Sequence, residues 1–383
     1  MDKRIDYAKH FIDDIDIKNI VSSLKNNPLS NGPSIDLFEK KISKSFKCKY
    51  TSVVSSGTAA LHLIGKALEW KENDLIITTP LTFVATSNSI IYSGAKPYFI
   101  DINNDTFTIN LNILEDKIKK LDRKKKKVKT VIGVDYAGHP CDWIGLKYLS
   151  NKYEFSLVND NCHALGSKIN NDIGYASKYA DMVSHSYHAS KTITSGEGGA
   201  VLTNSKILDK KIKTFRNHGL NRDLKKHWVY KMDDIGFNYR MTDFQAALGV
   251  SQLKKLEKFV KWQRKCAKIY NKIFNNNELY SRPIEFNKYK HSYHFYPLQI
   301  KKIKNLIDKN NFMSHLVSKN IFLQSHYTPI LSYDYYKNRY NYPIKSYPNT
   351  FNFFIREVSL PTYAYIEDEK IERIYNTINN YLT

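Results

Sequence analysis

TVIGVDYAG, Thr130 to Gly138, is an apolar strand that runs straight into a polar loop. Similar segments lie on both sides of it. Upstream are YTSVV (Tyr50 to Val54), DLIITTP, which is stopped at Pro80, and KPYFIDI. Downstream are FSLVNDNCHALG, whose strand ends near Asn159, then ADMVSHSYH and GAVLTN. Helix-like segments separate most of them, beginning with SSGTAALHLIGKAL. Strands alternating with helices predict an α/β fold with a largely parallel sheet covered on both faces. Ligands in such sheets bind beyond the carboxyl ends of the strands. Ser56, Asp160 and Lys191 all lie at or just after such ends.

The pattern changes near Asp243. From there to Asn276, apolar residues recur at three- and four-residue spacing, with Lys and Arg on the other face. One long helix is expected here, linking a large domain (residues 1–250) to a helix-led smaller one (residues 251–383). The smaller domain mixes short strands (SYHFYPLQI, EVSLP) with helices (NLIDKNNFMSHLVSKN and the last one from Glu367), again an α/β pattern. No internal repeat interrupts either part.

The chain has 383 residues, 42% hydrophobic, enough for two domains and a large core. No run of eighteen apolar residues exists, so no membrane span is expected. The polar N-terminus lacks the apolar core of a signal peptide. Cys48, Cys141, Cys162 and Cys266 are scattered, which argues against a disulfide framework and a structural zinc. A cytoplasmic location is expected. The net charge is +22, and its densest run is KIKKLDRKKKKVK, Lys117 to Lys129. Charge favours nonspecific contact with nucleic acid but names no partner. Without zinc-finger spacing or an RNP sequence, the run reads as a solvated connection, and no nucleic-acid partner is expected. A basic surface also suits a substrate carrying phosphates.

Chemistry concentrates in four places. SSGTAALHL puts Ser55, Ser56, Gly57 and Thr58 at a helix start, where free N–H groups and the helix dipole make an anion site. A plain N-cap explains the same residues. LVNDNCHALGS leaves Asp160 at a strand end, either as a cap or paired with a cation such as a protonated pyridine nitrogen. His163, three residues on, reads equally as a core histidine or as a group beside such a ring. Phe83, after Pro80, can cover a flat cofactor or fill the core. HSYHASKTITSGEGGAV, His185 to Val201, sets Lys191 among small polar residues just ahead of a glycine-rich run. A surface lysine needs no such setting, whereas a lysine that forms a Schiff base does. Further on, Asn238 and Arg240 precede the long helix. They can bind phosphate and carboxylate, or the segment can simply be capped by Thr242.

SSGTAALHL, PLTFVATSNSI, VNDNCHALG, SYHASKTITSGEGGAVLTN, FRNHGLN, GFNYRMTDFQAALGVSQL and VSLPTY, taken in order, resemble the DegT/DnrJ family of nucleotide-sugar aminotransferases, which depend on pyridoxal 5'-phosphate (PLP). The resemblance runs over nearly the whole chain. It implies fold type I, the aspartate aminotransferase type, with a mostly parallel seven-stranded sheet in the large domain. It also implies roles. Lys191 would carry PLP as a Schiff base, Asp160 would pair with the ring nitrogen, and His163 would lie beside the ring. Phe83 would stack on the cofactor. Gly57, Thr58, Ala59 and Ser186 would hold its phosphate, and Asn238 would reach the phosphate in the neighbouring subunit of a homodimer with shared sites. Arg240 would meet a carboxylate or phosphate of the substrate.

Within the family, VDYAGHPCD, NDNCHALGSK, FRNHGL, LGVSQLKK and LQSHYTPIL are similar to enzymes that aminate C4 of UDP-4-keto-6-deoxy-HexNAc sugars on the pseudaminic acid route. That likeness implies L-glutamate as donor, and substrate contacts at His326 and Tyr327. The same chemistry on a UDP-, dTDP- or GDP-linked 4-keto-6-deoxyhexose, of viosamine or perosamine type, is the alternative. A sugar dehydratase of the same family would replace the lysine by histidine or cluster its cysteines, and this chain does neither. A non-catalytic binding protein of the same fold is the remaining rival.

Overall fold

The computed structural model describes residues 3–222, 226 and 228–383. All seven sequence-expected strands of the first two-thirds form one sheet. In chain order they are β1 (Tyr50–Val54), β2 (Leu75–Thr78), β3 (Lys96–Phe99), β4 (Val128–Val134), β5 (Ser156–Asp160), β6 (Met182–Ser186) and β7 (Gly199–Thr203). Their spatial order is β1-β7-β6-β5-β4-β2-β3. Only β7 runs against the rest. β4, β5 and β6 are almost entirely buried, as strands covered by helices on both faces must be. The fold is the α/β architecture of PLP-dependent fold type I.

Helices pack on the sheet through apolar faces. Gly57–Ala67 buries Ala60, Leu63 and Ile64 beside Val54, Ile132 and Val158. Trp143 and Leu146, from Trp143–Tyr153, join Phe38, Val131 and Leu157 in the largest core cluster. A second core lies around a three-stranded antiparallel sheet made by β8 (Tyr280–Ser281), β9 (Tyr296–Ile300) and β10 (Glu357–Leu360). The chain's start belongs to this core: Ile5–Asp6 pair in parallel with Ile321–Phe322, and Ile5 is fully buried.

The single long helix expected from Asp243 is two helices, Asp243–Leu253 and Leu256–Ile273. No proline or glycine marks the break. A tertiary contact anchors it: Lys255, in the joint, reaches Asp13 at 2.5 Å and Asp16 at 2.7 Å. Among the described residues no helix is long and apolar enough to cross a membrane.

Candidate active site

At the carboxyl ends of β1, β5 and β6, short loops meet over a cavity of about 500 Å³, within the usual range for small-molecule sites. β1 leads into Ser56, the N-cap of helix Gly57–Ala67, whose Oγ accepts the Ala59 N–H at 3.1 Å. That bond occupies Ala59, which does not line the cavity. Gly57 and Thr58 do line it, and their N–H groups have no partner within the helix. A Cβ on Gly57 would stand 2.8 Å from Ser186 Cβ and 3.4 Å from Cys162 Sγ. Only glycine lets these three elements close into a cradle.

β5 ends at Asp160. Its Oδ2 accepts the Thr86 hydroxyl at 2.6 Å, and its Oδ1 accepts the Cys162 N–H at 3.3 Å. Asp160 therefore ties down its own loop while lining the cavity. β6 ends at Ser186, and the turn after it is pinned by Tyr187 N–H to Gly198 and Lys191 N–H to His188. This turn sets the half-buried Lys191 side chain into the same space.

His163 is buried, with Nε2 2.9 Å from the Tyr327 hydroxyl and Nδ1 buried without a partner. It is not a satisfied core histidine. Phe83 is not core either. It is 51% exposed at the cavity wall, its ring centroid 5.6 Å from that of Tyr327. His326 and Tyr327 enter from the C-terminal part of the chain and line the cavity. Two expected residues stand elsewhere. Asn238 forms a backbone bridge with Asn217, and Arg240 donates to Asn217 Oδ1 at 2.8 Å. Neither lines the cavity of its own chain.

Sequence reasoning passed over several cavity residues, among them Tyr7, Thr86, His294 and Ser325. Thr86 stood in the quoted PLTFVATSNSI, one helical turn after Phe83, and that spacing could have singled it out. Tyr7 carries no local signal, because it is brought in by the remote pairing of Ile5–Asp6.

Burial pushes the Lys191 amine below its ordinary value, while Cys162 and Asp160 pull it back up. Burial, then the charge of Lys191, also pushes His163, His294 and His326 below the ordinary histidine range, the last to about 3. The site therefore holds three neutral imidazoles around one tunable amine.

This donor set fits PLP on its own features. The helix start with the Gly57 cradle suits a phosphate, the strand-end carboxylate suits a pyridinium, and the depressed lysine suits imine chemistry. The partnerless His163 Nδ1 leaves a polar atom for a bound group.

The model of the DegT/DnrJ/EryC1/StrS aminotransferase family matches residues 11–379. The chain belongs to this family. A transaminase of Campylobacter jejuni named for UDP-4-amino-4,6-dideoxy-N-acetyl-beta-L-altrosamine is 36% identical over 362 residues, 93% of this chain and 92% of its own. The solved structure of Helicobacter pylori PseC, an aminotransferase of pseudaminic acid biosynthesis, superposes with a TM-score of 0.90. It has 32% identity and covers 99% of both chains. Spr1654 of Streptococcus pneumoniae, solved in its PMP form, gives a TM-score of 0.90 at 26% identity over 98% of both chains. Like other members of its family, this chain is a PLP-dependent sugar aminotransferase.

Proposed function

We propose that the enzyme moves an amino group from L-glutamate to C4 of a nucleotide-linked 4-keto-6-deoxy sugar. The preferred substrate is UDP-4-keto-6-deoxy-HexNAc, giving UDP-4-amino-4,6-dideoxy-HexNAc. The observation that carries the reading is Lys191, its amine depressed by burial, facing Asp160 across a cavity whose third corner is the Gly57 helix start. Similarity to the Campylobacter and Helicobacter enzymes supports the choice of sugar.

Gly57, Thr58 and Ser186 would hold the phosphate of PLP, Asp160 its ring nitrogen, and Phe83 and His163 its ring. When bound, PLP supplies an electron sink for the carbanion formed at the reacting carbon. Lys191 carries the proton away from Cα of the donor amino acid, and in the second half-reaction delivers one to C4 of the sugar. Asp160 keeps a proton on the ring nitrogen, and Thr86 holds that carboxylate in place. His326 and Tyr327 orient the sugar from the C-terminal side.

The active unit in this reading is a homodimer. Asn238, which lies outside its own cavity, serves the partner's site. In this reading Met232, on the strand Tyr230–Met232 that pairs with Leu220–Arg222, and Ile235 just beyond it are both exposed and would pack against the second copy.

The test is product analysis. Enzyme, PLP and L-glutamate are incubated with UDP-, dTDP- and GDP-linked 4-keto-6-deoxy sugars, with and without a 2-acetamido group. The reading expects a C4 amine by mass spectrometry and NMR, formed fastest from the UDP-HexNAc substrate. A faster reaction with a GDP- or dTDP-hexose would overturn the sugar assignment. No product with any of them would overturn the activity.

A further inference from the structure

Behind the cavity wall lies a closed chain of hydrogen bonds that the chemistry above does not use. Glu357, the first residue of β10, is fully buried. Its Oε2 accepts the Ser325 hydroxyl at 2.9 Å and the His326 N–H at 3.1 Å. Its Oε1 accepts the hydroxyl of Ser359. Lys309, also buried, donates to Ser325 Oγ at 2.6 Å and to the Phe354 carbonyl. Ser359 Oγ in turn lies 2.7 Å from His326 Nδ1.

A serine hydroxyl has one hydrogen. With Ser359 giving it to the carboxylate, its oxygen can only accept from His326. Nδ1 then bears the imidazole proton, and Nε2 is left as a lone-pair acceptor. The imidazole ring is fixed further by stacking on Phe295, at 4.3 Å between centroids and 16° between planes. The His326 carbonyl is held by the Tyr136 hydroxyl. No hydrogen-bond partner of His326 Nε2 occurs among the described residues, and His326 lines the substrate cavity.

We propose that Glu357, acting through Ser359, fixes His326 in the Nδ1–H tautomer, so that Nε2 accepts a hydrogen bond from a hydroxyl or amide N–H of the sugar. This rests on the sugar-aminotransferase reading of the cavity. Glu357 is a positioning residue: it touches no substrate and acts through two side chains. Burial pushes the Glu357 carboxyl up to about 7 and the charge of Lys309 opposes that shift, so the carboxylate is ionised at about pH 8.

Glu357→Gln reverses the relay. The amide oxygen stays toward Ser325 and the His326 N–H, because both are donors. The amide NH2 then faces Ser359, which must accept, and its hydrogen turns to His326 Nδ1. The imidazole proton moves to Nε2, which becomes a donor.

The test is 15N-histidine NMR of the PLP-loaded enzyme at about pH 8, with the signal assigned through a His326→Gln variant. The unmodified protein should show Nδ1–H at His326, and Glu357→Gln should show Nε2–H. Alongside, KM for the keto sugar should rise about tenfold, the loss of one buried hydrogen bond. The rate at which L-glutamate alone bleaches the enzyme should stay within about twofold. Should Glu357→Gln not fold, Ser359→Ala cuts the same relay and should give mixed tautomers with a smaller rise in KM, about twofold for equal populations. Nε2–H in the unmodified protein overturns the proposal, and so does a reversed tautomer with an unchanged sugar KM. An enzyme that aminates no sugar at all refutes the activity instead, and leaves the tautomer result standing by itself.

Discussion

Thr86 Oγ1 donates a 2.6 Å hydrogen bond to Asp160 Oδ2, and Thr82 Oγ1 stands 2.7 Å behind it. All three residues are buried at the carboxyl end of the sheet. A carboxylate held this way cannot swing aside, which is what a group that must keep a cofactor nitrogen protonated requires. Thr86→Val keeps the shape and removes the donor. It should lower kcat/KM about tenfold, and Thr86→Ser should restore most of it. Steady-state kinetics of the two variants side by side checks this.

Asp160→Asn keeps the volume and removes the charge. Activity should fall by orders of magnitude while the melting temperature changes little, because the loop contact to the Cys162 N–H survives. A loss of only a few-fold would remove Asp160 from its role.

Gly57→Ala should weaken PLP binding by about tenfold or more, since a methyl group 2.8 Å from Ser186 Cβ forces the phosphate cradle open. Adding Ser186→Gly should recover part of the affinity. Equilibrium dialysis of PLP measures both.

His139 and His185 are buried, with pKa values pushed by burial to about 4 and about 3. The unfolded chain binds these protons near pH 6.5 and the folded chain does not. Stability is therefore full above about 6.5 and is lost as pH falls from there toward 4. Each group adds a slope of about 1.4 kcal/mol per pH unit in that window. Urea unfolding between about pH 6.5 and pH 4 should show this slope, and His185→Gln should remove one proton's worth of it.

Ile235→Asp combined with Met232→Asp should convert the proposed dimer to monomers in sedimentation velocity and lower activity with it. Both side chains are about two-thirds exposed. A variant that remained a dimer would move the interface elsewhere.

Much of this was legible in the chain, for physical reasons. The strands are runs of Val, Ile and Thr bounded by turn residues, and Tyr50–Val54 emerges with the expected ends. Lys191, Asp160, Thr58 and Ser186 converge because each lies at or just after the carboxyl end of a strand in one sheet. What stayed hidden depends on long-range contact. Lys309 reads as a solvent residue of an amphipathic helix, yet it is 4% exposed beside Ser325. Tyr7 reaches the cavity only through a pairing across more than three hundred residues. The break after Leu253 has no local breaker and depends on Lys255 meeting Asp13 and Asp16.

In the proposed reaction Lys191 carries PLP and makes this cavity a working aminotransferase site. The most direct measurement is the visible absorption spectrum of the PLP-loaded protein and of Lys191→Ala, before and after L-glutamate. The unmodified enzyme should show a yellow band that bleaches with L-glutamate and returns with the keto sugar. Lys191→Ala should bind PLP without covalent attachment and should not turn over. A colourless unmodified protein after PLP addition, or normal turnover by Lys191→Ala, would contradict it.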